Sequence, residues 1–86
     1  MKIIFSDAKG RIINMECDPK DKISTLIEAY EKKYKSLFPN EKIKSITFFY
    51  DGENFSEEDY DKTLNELDLE DIAKITSSFK YDGGLI

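Results

Sequence analysis

Two adjacent glycines, Gly83 and Gly84, lie close to the end of the sequence, in the stretch YDGGLI. Glycine has no Cβ atom, so its backbone can stay extended in a narrow channel and approach a reacting group closely. The same freedom destabilises regular secondary structure, so a glycine pair can equally belong to a flexible terminus without a function. The pair therefore predicts either a frayed end or a segment that an enzyme holds.

Other residue types that perform catalysis are scarce. Histidine, the commonest general base and metal ligand, does not occur in the sequence. The one cysteine, Cys17, falls on an inward position of a predicted strand, so we expect a buried core thiol and not a nucleophile. The acidic stretch EEDYD at 57–61 lacks the glycine and spacing of a calcium loop, which predicts a solvated loop. We therefore expect no enzyme, no cofactor and no metal site.

The composition is that of one small acidic domain. The chain has 86 residues, of which 40% are hydrophobic and 13% aromatic, enough for a single compact core. Thirteen Lys and Arg against eighteen Asp and Glu give a net charge of −5, which argues against nucleic acid or an anionic membrane as the partner. The sequence has no apolar run long enough to span a membrane. The lone cysteine cannot form an internal disulfide, which favours a reducing compartment. We expect a monomer in the cytoplasm or the nucleus.

In the first half of the chain, apolar and polar residues first alternate as in two β-strands, and the apolar residues then recur at helical spacing. Residues 2–7 and 11–17 predict a hairpin around Gly10, with Ile4 and Ile12 on its outward side. A stripe at helical period then predicts a helix that ends before the Phe-Pro-Asn break. Its apolar members are Ile23, Leu26, Ile27, Tyr30, Tyr34 and Leu37, and Asp21 is the predicted cap.

The second half predicts strands around an acidic loop. Residues 44–55 alternate as a strand and a short return strand around an Asp-Gly turn, and 56–62 form the loop. Residues 63–71 predict a helical turn with three leucines toward the core, and 73–81 a last strand. The order β-β-α-β-β-short helix-β predicts an α+β fold, a mixed sheet packed on one main helix, which is a β-grasp.

At this level of detail the sequence resembles ubiquitin-like proteins. Residues 1–30 align with ubiquitin without a gap, and 63–84 do so again, including the two glycines. The stretch FFYDGENF is similar to a strand-turn-strand segment of ubiquitin and SUMO, and TLNELDLED is similar to SUMO. Extra residues fall at about 35–45 and 56–62, both surface connections. Identical to ubiquitin are Met1, Ile3, Gly10, Ile13, Glu16, Pro19, Asp21 and Ile23.

The resemblance implies a ubiquitin-like domain over residues 1–80 and a flexible tail over 81–86. Many ubiquitin-like precursors are cut after the second glycine, and the new carboxylate is attached to amines of target proteins. By this resemblance Gly84 would become the reactive carboxylate, and Gly83 would give clearance in the enzyme channels. The implied partners are a processing protease, activating and conjugating enzymes, or receptors of ubiquitin-like domains.

Two tail residues depart from ubiquitin. Lys80 stands where ubiquitin has an arginine that its activating enzyme recognises, and Lys keeps the charge but loses the planar fork. Asp82 reverses the charge of another tail arginine. The resemblance therefore predicts a different activating enzyme, or none.

Two candidate partner-binding patches follow from the resemblance and from strand parity. Ala8, Phe49 and Ser78 occupy the positions of the apolar patch of ubiquitin, and Phe49 alone is large and apolar. Ile4 and Ile12 are a second patch. The alternatives are that the inserted loop buries Phe49, and that the two isoleucines are ordinary surface or pack under the tail.

Three functions stay open at this point. The first is a ubiquitin-like modifier that is processed and conjugated through Gly84. The second is a non-conjugated binding module or scaffold that uses Phe49 or the Ile4 and Ile12 patch. The third is a sulfur carrier, which shares the fold and the glycine pair but normally ends at the second glycine.

Overall fold

The predicted order of elements is confirmed in the computed structural model, which describes residues 1–81. Along the chain these elements are β1 (Lys2–Asp7), β2 (Ile12–Glu16), α1 (Ile23–Leu37), β3 (Ile43–Tyr50), β4 (Glu53–Asn54), a 3-10 helix (Glu57–Asp61) and β5 (Ala73–Tyr81). The last strand includes Tyr81, the first residue of the predicted tail, and residues 82–86 lie outside the described range.

One mixed sheet of the order β2-β1-β5-β3-β4 packs on α1. β1 and β5 run parallel at its centre, and the other neighbouring strands are antiparallel. Ile3, Phe5 and Ile75 are fully buried from the strands and share one cluster with Ile23 and Tyr30 of α1. The sheet therefore has an inner face toward α1 and an outer face away from it, and the α+β β-grasp is confirmed.

The bounds of α1 agree with its apolar spacing, although two predictions about its ends are wrong. The N-cap is Lys22 without a side-chain bond, whereas Asp21 uses its carboxylate for the backbone N–H of Asp18 at 2.9 Å. Leu37 is 53% exposed because the helix ends there. Phe38 packs against the core in its place, with its ring centroid 4.8 Å from that of Tyr34.

Aromatic rings fill the space between α1 and the sheet. Phe5 stacks on Tyr30 with ring centroids 4.1 Å apart, and Phe48 meets the edge of both rings. The buried Tyr30 hydroxyl is hydrogen-bonded to Ser77 Oγ at 2.9 Å, and Ser77 donates to the Ser6 carbonyl at 3.3 Å. The core thus gains aromatic burial without leaving that hydroxyl unpaired.

The connections before β5 differ in part from the expectation. The stretch 57–61 forms a 3-10 helix where we expected a loop, because Ser56 and Asp59 bond reciprocally as a capping box. The helical turn at 63–71 is a single one, with the Leu67 N–H donating to the Thr63 carbonyl at 3.1 Å. Its leucines face inward as predicted: Leu64 and Leu69 are buried and Leu67 packs against the core.

Candidate partner-binding surface

The outer face of the sheet is crossed by one row of residues, one from each strand. Strand register aligns Ile12, Ser6, Thr76, Phe49 and Asn54 in this order. Neighbouring strands lie about 4.8 Å apart, so the backbones at Ile12 and Phe49 are separated by roughly 14 Å. The two predicted patches therefore belong to one surface.

The apolar members of this surface make no core contacts. Ile12 is 66% exposed, and Ile4 and Phe49 are half-buried without packing against the core cluster. The aromatic residues of the inserted region, Phe55 and Tyr60, pack against the core instead. Phe49 therefore keeps part of its side chain in solvent, and the inserted region does not bury it completely.

The two small members of the first patch, Ala8 and Ser78, lie near Phe49. Ser78 is exposed and faces Thr47, the residue two positions before Phe49 on β3. Ala8 is exposed and directly follows Asp7, which pairs with Ser77. The structure thus brings Ala8, Phe49 and Ser78 to the same end of the outer face. Sequence reasoning missed Thr76, which separates Phe49 from β1, although strand parity from Ser78 would have found it.

The residues that precede the glycine pair are held by the domain. Lys80 is exposed on β5 opposite Ser45. Tyr81 lies under the Lys9 ammonium, whose Nζ is 4.8 Å from the ring centroid. The predicted tail residues Asp82, Gly83 and Gly84 fall outside the described range.

Residues 1–76 match the family described as ubiquitin-2-like Rad60 SUMO-like domains. The chain belongs to this family. The resemblance to ubiquitin-like proteins is therefore confirmed, and domains of this kind are generally non-enzymatic. The match covers the sheet as far as Thr76 and does not extend to the glycine pair. No curated protein matches the sequence.

At the hairpin end of this SUMO-like domain, a polar cluster joins the β1–β2 turn, α1 and the connection from α1 to β3. Arg11 donates hydrogen bonds to the Tyr34 hydroxyl and to the Glu41 carboxylate, and Lys9 Nζ lies 3.1 Å from Glu41 Oε1. The guanidinium carbon of Arg11 is 3.9 Å from the ring centroid of Phe38. Sequence reasoning missed this cluster because its members are distant along the chain and carry no local pattern.

The groups of the cluster are bonded within the domain. Asp7 Oδ1 accepts the backbone N–H groups of Lys9 and Arg11 at 2.9 and 3.0 Å, which fixes the hairpin turn. Burial raises the pKa of Tyr34. For Glu41, burial acts to raise the pKa, but hydrogen bonds from Arg11, Lys9 and Tyr34 prevail and lower it to about 2. This internal saturation indicates a structural role.

The SUMO-like domain concentrates its acidic residues in the connection before β5, without a metal site among residues 1–81. Side-chain groups of His, Cys, Asp or Glu do not gather there in threes at metal-binding distance. The Ser56 backbone N–H lowers the pKa of Asp59. Within the same range, the one long helix is too short and too polar to cross a membrane.

Cys17 differs from the prediction of a buried thiol. It is half-buried and packs against the core from the end of β2, with Sγ 3.6 Å from the Met1 carbonyl. Burial raises the pKa of its thiol, which keeps it protonated near neutral pH. The environment of Cys17 therefore favours packing over nucleophilic chemistry.

Proposed function

We propose that this SUMO-like domain is a protein-recognition module that binds its partner on the outer face of the sheet. One observation carries the proposal: Ile12 and Phe49 lie in one row on that face, partly in solvent, and neither packs against the core. Apolar side chains that folding does not use are typical anchors of a protein interface. The small neighbours Ser6 and Thr76 leave Phe49 as the largest side chain of the row.

Three variants test this function with a matched control. Phe49→Ala and Ile12→Ala remove the anchors, and Leu37→Ala removes an equally apolar, exposed side chain at the end of α1. A partner is captured with the tagged wild-type chain from its native cell extract, identified, purified and titrated against each variant by calorimetry. We expect Phe49→Ala to weaken binding about tenfold or more, and Ile12→Ala less.

The opposite pattern would reject the outer face. A partner that binds Phe49→Ala and Ile12→Ala as tightly as the wild-type chain, but loses Leu37→Ala, uses the helical side of the domain. Circular dichroism of each variant before titration separates a lost contact from a lost fold.

A second candidate function is conjugation of the domain to target amines through Gly84. The glycine pair follows β5 with a single residue between Tyr81 and Gly83, so an ordered strand leads directly to it. Its partners would be a processing protease and dedicated activating and conjugating enzymes, since Lys80 and Asp82 differ from the ubiquitin tail. We place this activity in the cytoplasm or the nucleus.

A doubly tagged chain tests conjugation. In native cell extract, the C-terminal tag should be lost after Gly84, and high-mass species should carry the N-terminal tag. Gly84→Ala should abolish these species, whereas a chain that ends at Gly84 should form them without processing. An uncut tag and no high-mass species from either chain would leave recognition as the function and exclude the modifier.

A further inference from the structure

The strand directions give the domain two ends. β1 and β5 run parallel and β3 runs antiparallel to β5, so the turn after β3 and the connection before β5 lie at one end. The β1–β2 turn lies at the other, the hairpin end, where Lys9 Nζ is 4.8 Å from the ring centroid of Tyr81, the last residue of β5. α1 begins at the first end, where the Ile23 N–H donates to the Lys62 carbonyl at 2.9 Å. The two ends are about 26 Å apart, because β5 has nine residues.

The hairpin end is basic. It combines the hairpin turn, the last half of α1, the start of β3 and the end of β5, and among residues 1–81 it holds eight basic and two acidic residues, a charge of +6. The two acidic residues are bonded within the domain: Glu41 binds Lys9 and Arg11, and Asp7 accepts two backbone N–H groups of the turn. The six other basic residues are exposed and take part in no ion pair among residues 1–81: Lys32, Lys33, Lys35, Lys42, Lys44 and Lys80. If the two glutamates in the middle of α1 are counted here as well, the charge is still +4.

The opposite end, called the acidic end below, has the reverse charge. Residues 51–71 form the turn after β3, β4, the 3-10 helix and the connection before β5, and they hold ten acidic residues and one basic residue. The end of β2 and the turn before α1 add three acidic residues, Glu16, Asp18 and Asp21. The lysines of this end are Lys2, Lys20, Lys22, Lys62 and Lys74. Thirteen acidic and five basic residues give the acidic end a charge of −8.

The two ends interact with their surroundings separately in salt solution. The net charge of −5 would make two copies of the chain repel each other if only the total charge mattered. At physiological ionic strength, however, charges are screened over a Debye length of about 8 Å, which is much shorter than the separation of the two ends. Each end therefore responds to the charges next to it, and the hairpin end attracts an anionic surface although the chain is acidic.

The chain itself provides a surface that matches the hairpin end. The acidic end has the opposite charge, and it lies on the same compact domain at a fixed distance from the hairpin end. Two copies that lie side by side in opposite directions bring each hairpin end against the acidic end of the other copy. Both contacts then form in one association event, and the two-fold symmetry closes the assembly as a dimer.

Apolar side chains are exposed at both ends. Leu37 and Tyr81, at the hairpin end, are 53% and 37% exposed, and Ile72, at the acidic end, is 62% exposed. None of the three belongs to the buried core or packs against it. They supply apolar contact area to surfaces whose charges select the partner.

We propose that two copies of the domain associate side by side in opposite directions, with the hairpin end of each against the acidic end of the other. The six exposed lysines of the hairpin end meet the carboxylates of residues 51–71. The proposal is independent of the partner-binding function and departs from the expectation of a monomer.

Analytical ultracentrifugation of the full chain tests the association. We expect a concentration-dependent dimer whose association constant falls at least tenfold between about 0.1 M and about 1 M salt. A chain that sediments as a monomer at every protein concentration, or a dimer that salt does not weaken, would overturn the proposal. If that monomer still bound its partner through Phe49, the partner-binding function would stand without the dimer.

Two double variants of equal net charge separate the distribution of charge from its total. Lys42→Glu with Lys44→Glu makes the hairpin end less basic and should weaken the dimer at least fivefold. Lys20→Glu with Lys74→Glu changes the net charge equally but makes the acidic end more acidic, so the dimer should stay as strong or become stronger. All four lysines are exposed, and circular dichroism checks that each variant is folded. Equal weakening by both variants would mean that the total charge controls association, and would reject the proposed arrangement.

A mixing experiment identifies the surfaces that meet. One variant replaces four lysines of the hairpin end with Glu, and the other replaces four carboxylates of the acidic end with Lys. The substituted residues are Lys32, Lys33, Lys42 and Lys44 in the first variant, and Glu53, Glu57, Glu58 and Asp61 in the second. Each variant alone should be monomeric, whereas their mixture should form a heterodimer, because the acidic end of the first still matches the hairpin end of the second. A mixture that stays monomeric while the wild-type chain dimerises would show that other surfaces meet, and would overturn the proposal.

Discussion

On the inner face of the sheet Phe5 stacks on Tyr30 with ring centroids 4.1 Å apart, whereas on the outer face Phe49 has Thr76 and Asn54 as its cross-strand neighbours. Both phenylalanines stand on strands of the same sheet. Phe5 is fully buried in the core cluster, and Phe49 is half-buried and outside it. The same residue type is therefore part of the folding core on one face of the sheet and partly exposed to solvent on the other.

The difference shows which side chains the fold requires. On the inner face, even the hydroxyl of Tyr30 finds a partner in Ser77, because a buried polar group without one would destabilise the fold. On the outer face, Ile12 stays 66% exposed although a polar residue would serve the sheet equally well. Apolar residues that the fold does not need are the ones that a partner can use.

The strongest test of this contrast compares two phenylalanine truncations. Phe5→Ala opens a cavity in the aromatic core and should lower the free energy of unfolding by about 3–5 kcal/mol. Phe49→Ala should cost less than about 1 kcal/mol, because the side chain makes no core contacts. Urea denaturation followed by circular dichroism measures both. Equal losses would mean that Phe49 is part of the folding core, and the outer face would then lose its main anchor.

Periodicity predicted the parts of the fold that follow from local spacing. The bounds Ile23–Leu37 of α1 and the inward positions Ile3 and Phe5 are confirmed, since apolar period and strand parity depend on neighbouring residues only. The outward positions of Ile4 and Ile12 follow from the same parity. The candidate surface was therefore largely visible in the sequence.

Features that depend on distant contacts were not predictable. The 3-10 helix at Glu57–Asp61 depends on a capping box in a stretch whose acidic composition suggested only a loop. The bond between Arg11 and Glu41 joins residues 30 positions apart. Ile72 has a φ of +61° in a turn that is hydrogen-bonded to β1 through the Lys2 carbonyl. The residues around Ile72 in the sequence do not predict this conformation.

The paired hydroxyls of the inner face provide the next test. Ser77→Ala leaves the buried Tyr30 hydroxyl without its hydrogen bond and should lower the free energy of unfolding by about 1–3 kcal/mol. Tyr30→Phe should cost only about 1 kcal/mol, since Ser77 keeps the Ser6 carbonyl as its acceptor. The double variant should cost less than the sum of the two. Strict additivity would mean that the two hydroxyls do not interact.

Acid titration tests the polar cluster of Lys9, Arg11, Tyr34 and Glu41 at the hairpin end of the domain. The pKa of Glu41 is about 2 in the folded domain against an ordinary value of 4.5. Because the folded pKa is the lower one, the stabilisation is complete above the ordinary value and is lost as the pH falls toward 2.

Glu41→Gln should therefore be less stable than the wild-type chain at pH 7, by less than Ser77→Ala is, and the difference should shrink steadily below pH 4.5. Glu28→Gln, an exposed substitution on α1, provides the control and should follow the wild-type curve. Thermal unfolding between pH 7 and pH 2 measures the three curves. Parallel curves for Glu41→Gln and the wild-type chain would remove Glu41 from the acid response.

The smallest effect on stability is expected for Ile12→Thr. Its control is the same substitution at the next residue, Ile13→Thr. Both substitutions keep a β-branched side chain on β2, so strand propensity stays nearly constant. Ile12 lies on the outer face and Ile13 is buried on the inner one. Ile12→Thr should change the free energy of unfolding by less than about 0.5 kcal/mol, whereas Ile13→Thr buries a hydroxyl and should cost about 2 kcal/mol.

The same pair then separates stability from recognition. Because successive residues of a strand point to opposite faces, Ile12→Thr should weaken partner binding without affecting stability, and Ile13→Thr should do the reverse. Urea denaturation measures the free energy of unfolding of both variants, and calorimetric titration measures their affinity for the partner. If Ile12→Thr lowers the free energy of unfolding as much as Ile13→Thr does, the Ile12 side chain contributes to folding. The apolar row on the outer face would then be explained by stability and not by partner binding.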